Sequence, residues 1–559
     1  MTAPMFRAAV KPVSILFLAA VSSSLWAAGF DVPVIATAMQ GTSNANHAEA
    51  NDASVLYYNP AGITRLKGTN VSNSLSIITL SGKVENLGTT GTPSPEQTGP
   101  GEEGPLIQGG GAGSYWPKVL GSAALFASTP WNDEITLGFG LFPAAGGNLN
   151  NKSDWFGRNF ADSTAVEIID ANTVGAIRFD DKHSLGFGTN LLVGHLKQKL
   201  EIDIPGVAPY LLQPVLSDVS ADSLTPWLAP AEISQLTQLL GLNPADIKLG
   251  ILYDQLPPEL KGQLAKLGGQ ALLTSDSHGS GTIEMYGYGL GWNMGYMFSP
   301  DDDTRFGISF RSKVRMKMRG EIDWEVSNVH GNTDSTIGLP APDGTRVSGS
   351  ELLSEYYRPD ATTKSTLIVP AKLSFGLFHR LNDTIDLMTD LTLNKTSDVK
   401  EIKVYISDVK EPNRDVAIKQ EPGVINTKWR DSFKLSVGGN YHYDDKLTLR
   451  GGYMYDMTPI RSARYRHPSA PDSNRHMLSV GANYQWKKNM NVDAAYSLVH
   501  LEDTESHYRD PCRGDHLEND DGSFDGSGPA NCTGNGGTFH GRFTDTFIHI
   551  LGLQLNSRF

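Results

Sequence analysis

The sequence predicts an all-β protein, a transmembrane β-barrel of fourteen antiparallel strands. Three observations lead there. Strand candidates alternate apolar and polar residues over lengths that exceed the usual five or six residues of a soluble strand. Short and long connections alternate along the chain. Nothing in the mature chain is an apolar run of about 18 residues, so no helix is predicted to span a membrane.

Composition narrows the function classes. The 559 residues include 47 basic and 61 acidic side chains, a formal charge of −14. That balance argues against nucleic-acid binding, which needs basic stripes to neutralise phosphates. Only 39% of residues are hydrophobic, too few for a bundle of membrane helices. The two cysteines, Cys512 and Cys532, rule out a Cys-rich metal or redox framework.

Residues 1–27 read as a secretory signal peptide. Arg7 and Lys11 form the positive region, residues 13–21 the short apolar core, and Ala27 and Ala28 the small-residue cleavage site. Residues 28–68 follow, small and polar without good alternation, and either hang free or fold back into the lumen. The barrel takes 69–559. Export then leaves two settings for an all-β chain, a soluble exported protein or the bacterial outer membrane.

Strand candidates lie at 69–82, 118–128, 134–142, 163–179, 183–201, 280–298, 304–325, 363–379, 384–404, 428–443, 446–456, 474–486, 490–501 and 542–559. From 428 to 443 the odd positions carry Trp429, Phe433, Leu435, Val437, Tyr441 and Tyr443, while the even positions carry Lys428, Arg430, Ser432, Lys434, Ser436, Asn440 and His442. From 282 to 298 the even face is Tyr286, Tyr288, Leu290, Trp292, Met294, Tyr296 and Phe298, and the odd face is largely glycine. One apolar face per strand, with few helices to cover it, is satisfied by closing the sheet with that face toward lipid. Every second connection is short (129–133, 180–182, 300–303, 380–383, 444–445, 487–489), and the others are long, including 202–279, 326–362 and 502–541. Short periplasmic turns and long outer loops are the outer-membrane pattern. Phe559, a terminal aromatic on an outward face, fits recognition by barrel-assembly machinery.

The residues then resemble one family, the FadL-type long-chain fatty acid and hydrocarbon transporters. The resemblance rests on Ala28-Gly29-Phe30 at the mature start, Asn59-Pro60-Ala61 before strand one, the run from Tyr288 to Tyr296, Arg305 to Arg311 followed by basic alternation, and Tyr441 to Asp445. It covers essentially the whole mature chain. It implies that 28–68 is a hatch inside the lumen. It also implies a passive uptake channel for long-chain fatty acids or related hydrophobic compounds, with no cofactor and no metal, released sideways into the membrane through a gap at strand three. The competing classes are a general diffusion porin, which would need an open polar lumen, and an outer-membrane lipid hydrolase. The hydrolase lacks any His-Glu-x-x-His, Gly-x-Ser-x-Gly or Cys-x-x-Cys signature, so no catalytic residue is expected.

Several residues carry the site expectations. In the long loop 202–279, Leu236, Leu239 and Leu240 recur at helical spacing after Pro230. They either pack as a cap on the barrel or expose an apolar groove, and the resemblance implies a substrate-capture groove. Pro143, Gly146 and Gly147 weaken strand pairing, either as a strand end or, as the resemblance implies, as a kink that opens the wall. Asn59, Pro60 and Ala61 would lie near that gap, with the asparagine satisfying its backbone and Asp456, on an inward position, acting as a hatch or gate contact. The resemblance also places Lys419 at the ligand's polar head; the family's second headgroup cation has no match on strand five, where Leu200 and Lys199 stand. Cys512 and Cys532, in an exported loop, are expected to form a disulfide. The intervening Asp515, Glu518, Asp520, Asp521 and Asp525 fail the EF-hand spacing and read as a solvated acidic loop. The expected partners are a hydrophobic small molecule, outer-membrane lipid, lipopolysaccharide and the assembly machinery, not nucleic acid, and the chain is expected to act as a monomer.

Overall fold

A computed structural model of the chain describes residues 34–92, 103–107, 113–115, 119–151, 155–203, 279–325, 339–340, 346–347, 358–409, 423–509 and 537–559. These residues form fourteen antiparallel wall strands. They are β1 (Asn70–Asn86), β2 (Val119–Pro130), β3 (Ile135–Asn150), β4 (Ser163–Arg178), β5 (His183–Ile202) and β6 (Gly279–Phe298). Four interrupted strands follow: β7 (Thr304–Arg311, Val314–Glu325), β8 (Ala361–Val369, Lys372–Asn382), β9 (Ile385–Asn394, Glu401–Val409) and β10 (Gly423–Asn426, Ser432–His442). The wall is completed by β11 (Leu447–Asp456), β12 (Arg475–Lys487), β13 (Met490–Leu501, Thr504–Arg509) and β14 (Thr538–Arg558). The strands pair in sequence order, and β1 pairs with β14 from Asn70↔Arg558 to Asn86↔Gly541, closing the ring.

The last loop is shorter than the sequence suggested. Thr504–Arg509 pairs with Phe543–Thr538, so the β13–β14 hairpin extends well into the expected 502–541 loop.

The outward face is apolar. Leu75, Leu290, Leu478 and Val480 are each 60% or more exposed, an area no soluble monomer leaves open. The same strands bury Ser72, Ser74, Asn293 and Ser479 on the inward face.

The short turns share one device. Asn132, Asp180, Asp301, Asn382 and Asp444 each accept backbone N–H bonds from the second and third residues that follow, all between 2.7 and 3.0 Å. This Asx geometry supplies turn partners from within four residues.

The N-terminal segment lies inside the ring. It contains α1 (Thr37–Gln40), α2 (Val55–Tyr58) and a 3-10 helix (Pro60–Arg65). Its bonds reach the wall on many sides: Thr37 Oγ1 meets Ser74 on β1, Gln40 Nε2 donates to Ile550 O on β14, and Ser43 donates to Ser479 on β12. The segment explains one glycine of the β6 face, Gly295, while Gly287, Gly289 and Gly291 make room for β7. A Cβ at Gly295 would come within 2.2 Å of Asn59 Oδ1, and one at Gly186 on β5 within 2.4 Å of the Pro60 carbonyl carbon. Only a residue without a side chain admits a backbone that close.

Candidate functional site

Asn59 anchors the segment. Its Oδ1 accepts from Ala61 N at 3.1 Å, capping the 3-10 helix that Pro60 begins. Its Nδ2 donates to His47 O at 3.2 Å and to Tyr296 O on β6 at 3.1 Å. Ala61 O accepts from Ser184 on β5. The asparagine therefore ties the segment to β6, not to a gap at β3 as the sequence suggested. The cap on Ala61 fixes the amide direction, and that direction faces the β5–β6 wall.

Strand three also departs from expectation. The chain does not lose its strand at Pro143: β3 stays paired with β4 through Asn150↔Ser163, with one bulge between Pro143 and Ala145. The bulge absorbs the donor that proline lacks. The interruption lies on the other edge. The β2–β3 ladder ends at Leu125↔Leu141, whereas β2 continues along β1 to Val119↔Thr79. Among the described residues, 142–150 thus face no partner strand on the β2 side. Gly146 and Gly147 sit in this stretch and are buried.

Arg311 and two aromatics join that edge to the segment. Tyr57 and Phe142 meet edge to face at 5.0 Å, and Phe142 stacks on Phe126 of β2 at 5.6 Å. Arg311 on β7 lies 4.5 Å from the Tyr57 ring and 5.5 Å from the Phe142 ring. It donates to Tyr57 O at 3.2 Å and to Asp170 Oδ2 on β4 at 3.1 Å. Leu56 packs in the same cluster.

Two cavities meet at Lys372. The lower is lined by the charged or polar His47, Arg311, Asp390 and Lys434 together with the apolar Ile35, Phe310 and Met454. The upper is apolar, bounded by Ala144 and Ala145 at the β3 bulge, Ile168 on β4, Leu367–Pro370 on β8 and Trp429. Lys372 borders both. The arrangement offers an apolar chamber beside the β3 edge with cations below it.

Other carboxylates are engaged within the lumen. Asp390 accepts from His47 N at 2.9 Å and meets His47 Nδ1 at 2.7 Å, so it holds the segment to β9. Asp456 accepts from Arg475 Nη1 at 3.0 Å, with Lys434 Nζ at 3.7 Å. Arg475 also bonds Asp472 in the 457–474 connection. In that connection His467 is buried; its Nδ1 accepts from Ser469 N at 3.1 Å, and its ring stands on Tyr508 at 4.6 Å. Burial holds the His467 imidazole down to about 3.

Leu236, Leu239, Leu240, Lys419, Cys512 and Cys532 lie outside the described residues. The sequence reading missed Tyr57, Arg311, Phe142, Asp390 and Lys372. Arg311 had one available signal, an arginine on the inward parity of an amphipathic strand, where a charge demands a buried partner.

A closed barrel, apolar outside, polar inside and occupied by its own N-terminal segment, defines an outer-membrane channel. The chain belongs to the outer membrane protein transport family (OMPP1/FadL/TodX), whose family model matches residues 18–543. It is an outer-membrane transport protein and not an enzyme. An outer-membrane protein of Neisseria meningitidis serogroup B is 25% identical over 497 residues, 88% of this chain and 90% of the relative. The long-chain fatty acid transport protein of Escherichia coli K12 is 23% identical over 486 residues, 86% of this chain and 90% of the relative. Among solved structures, a Pseudomonas aeruginosa FadL homologue superimposes with a TM-score of 0.66 at 20% identity, covering 95% of this chain and 99% of that one. The Pseudomonas putida toluene transporter TodX gives 0.54 at 16% identity, covering 93% and 98%.

Proposed function

We propose that the protein is a passive uptake channel for long-chain fatty acids or related hydrophobic compounds, and that it releases them sideways through the wall beside β3. One observation carries this reading. The apolar chamber ends at Ala144 and Ala145, on the strand whose outer ladder stops at Leu141. An apolar solute there has a direct way to lipid, whereas the way down passes Arg311, Asp390 and Lys434. The names of relatives support the substrate class, since one is a fatty acid transporter and another a toluene transporter.

In this reading the N-terminal segment, held by Asn59 and Asp390, is a hatch. The Tyr57–Phe142–Arg311 cluster links its position to the β3 edge. A filled lumen argues against a general diffusion porin. Lys372, with Arg311 and Lys434 nearby, would receive a carboxylate head, a role that the family resemblance placed on Lys419. The remaining assignments, the capture groove of Leu236, Leu239 and Leu240 and the Cys512–Cys532 bridge, stay within the same proposal.

The test is uptake of radiolabelled oleate and of a neutral alkane by cells lacking their own transporter. Gly146→Trp would fill the wall beside β3 and is expected to cut uptake at least tenfold while the folded barrel persists on unheated gels. Delivery by that variant at the normal rate would remove the lateral route.

A further inference from the structure

The outward face of β7 changes character halfway up. Its lower half shows Phe306 and Ile308 to lipid. Its upper half buries Val314, Met316 and Met318 and exposes Arg315, Lys317 and Arg319. Arg319 pairs directly across from Lys364 on β8, also exposed. Two cations opposite each other on one sheet face repel. A lysine or arginine on the lipid face of a barrel is costly at the midplane and tolerated at the headgroup level.

Three other outward cations are neutralised: Lys197 meets Glu284 at 2.9 Å, Lys395 meets Asp431 at 2.6 Å, and Lys83 meets Asp545 at 2.8 Å. Among the described residues, Lys317, Arg319 and Lys364 make no ion pair or side-chain hydrogen bond. Glu284 and Glu321 stand opposite each other two positions further toward the loops, and Glu284 is engaged by Lys197.

Aromatic residues fix the level. Tyr286 and Tyr288 on β6, 61% and 63% exposed, are the direct neighbours of Arg319 and Lys317. Tyr405 on β9, 50% exposed, is the neighbour of Lys364. Exposed tyrosines mark the girdle between apolar band and headgroups. Leu290, 73% exposed, continues the apolar surface below them, where acyl chains would lie.

We propose that Lys317, Arg319 and Lys364 bind the phosphates of a phosphorylated glycolipid of the outer leaflet. Cross-strand and alternate-residue spacings hold the three Cα atoms within about 5–7 Å of their neighbours, close enough for a phosphate to be shared between adjacent side chains. The guanidinium of Arg319 offers a planar fork that matches phosphate oxygens. The side chains face the bilayer, which selects a lipid-borne phosphate over a soluble one. The site is independent of which substrate the channel carries.

The experiment uses the full chain, purified in detergent, with bisphosphorylated lipid A, phosphate-free lipid A and inorganic phosphate as probes. Acylation of Lys317 and Lys364 by an N-hydroxysuccinimide ester, read by mass spectrometry, is expected to slow at least fivefold with bisphosphorylated lipid A and not with the other two. Replacing all three residues (Lys317→Gln, Arg319→Gln, Lys364→Gln) is expected to weaken binding of bisphosphorylated lipid A at least tenfold, and Lys197→Gln to leave it within twofold. Equal protection by phosphate-free lipid A or by inorganic phosphate would overturn the proposal, and so would undiminished binding by a folded triple variant. The lysine-protection arm uses unaltered protein and decides the matter even if the triple variant does not fold.

Discussion

The ring of Tyr57 stands edge-on to that of Phe142, with centroids 5.0 Å apart and planes at 80°. One residue belongs to the segment inside the lumen and the other immediately precedes Pro143 on the open edge of β3. A shift of the segment therefore cannot leave that edge unaffected. Tyr57→Ala removes a contact worth about 0.5–1.5 kcal/mol beyond the area it buries. The expected result is more frequent opening events in planar-bilayer recordings, with the barrel still heat-resistant on gels.

Arg311 stabilises the same junction from β7. Arg311→Met would leave Asp170 buried without its cation, a loss of about 3–5 kcal/mol in comparable buried pairs. The heat-resistant folded fraction should fall, and the double variant Arg311→Met with Asp170→Asn should recover part of it. Thermal unfolding followed by gel shift measures both.

Asn59→Ala strands the acceptors His47 O and Tyr296 O and uncaps the 3-10 helix. Unsatisfied buried groups cost about 1–3 kcal/mol each. Faster amide exchange across residues 60–65, with unchanged exchange in β1 and β14, is the expected signature.

Lys372 tests the direction in which a ligand lies. If a carboxylate head reaches it, Lys372→Gln should raise the half-saturating concentration for oleate by about tenfold, the equivalent of 1.4 kcal/mol, and leave uptake of a neutral alkane within twofold. Equal effects on both would move the head away from this lysine.

The 457–474 connection should respond to acid. His467 is held neutral in the fold, down to about 3 against an ordinary 6.5. Its stabilising contribution is complete above about 6.5 and is lost as pH falls toward 3, amounting to about 2 kcal/mol at pH 5. Protection factors of the 457–474 amides, corrected for intrinsic exchange, should fall between pH 7.5 and 5, and His467→Phe should flatten that dependence.

The strands were legible because alternation reports the two environments of a barrel wall directly. All fourteen candidate segments overlap observed strands, and the Asx residues that begin five short turns mark boundaries within a few positions. The interruptions were not legible: the breaks at Ser312-Lys313 and Pro370-Ala371 appear only once neighbouring registers are known. The β3 edge shows why. Pro143 announces a missing donor, but whether β4 or β2 loses the ladder depends on the bulge at Ala144, a tertiary outcome. Asn59 was recognised as important, yet its partner Tyr296 lies 237 positions away, and no local pattern encodes that distance. Arg311 and Asp390 carried only the weak signal of a charge on an inward position.

The seam between β1 and β14 sets the order of assembly. Thr69 and Phe559 exchange backbone hydrogen bonds of 3.1 and 2.8 Å, so the ring is fastened by the beginning and end of the wall. Contacts of such long sequence separation form late. The segment that fills the lumen precedes β1 and lies on the inner side of that seam. It must either be gathered in while the sheet is still open or thread the turn-side mouth afterwards. In the first case the segment serves as the form around which the last strand closes, and its polar contacts with β12, β13 and β14 help guide the final zipping of the cylinder.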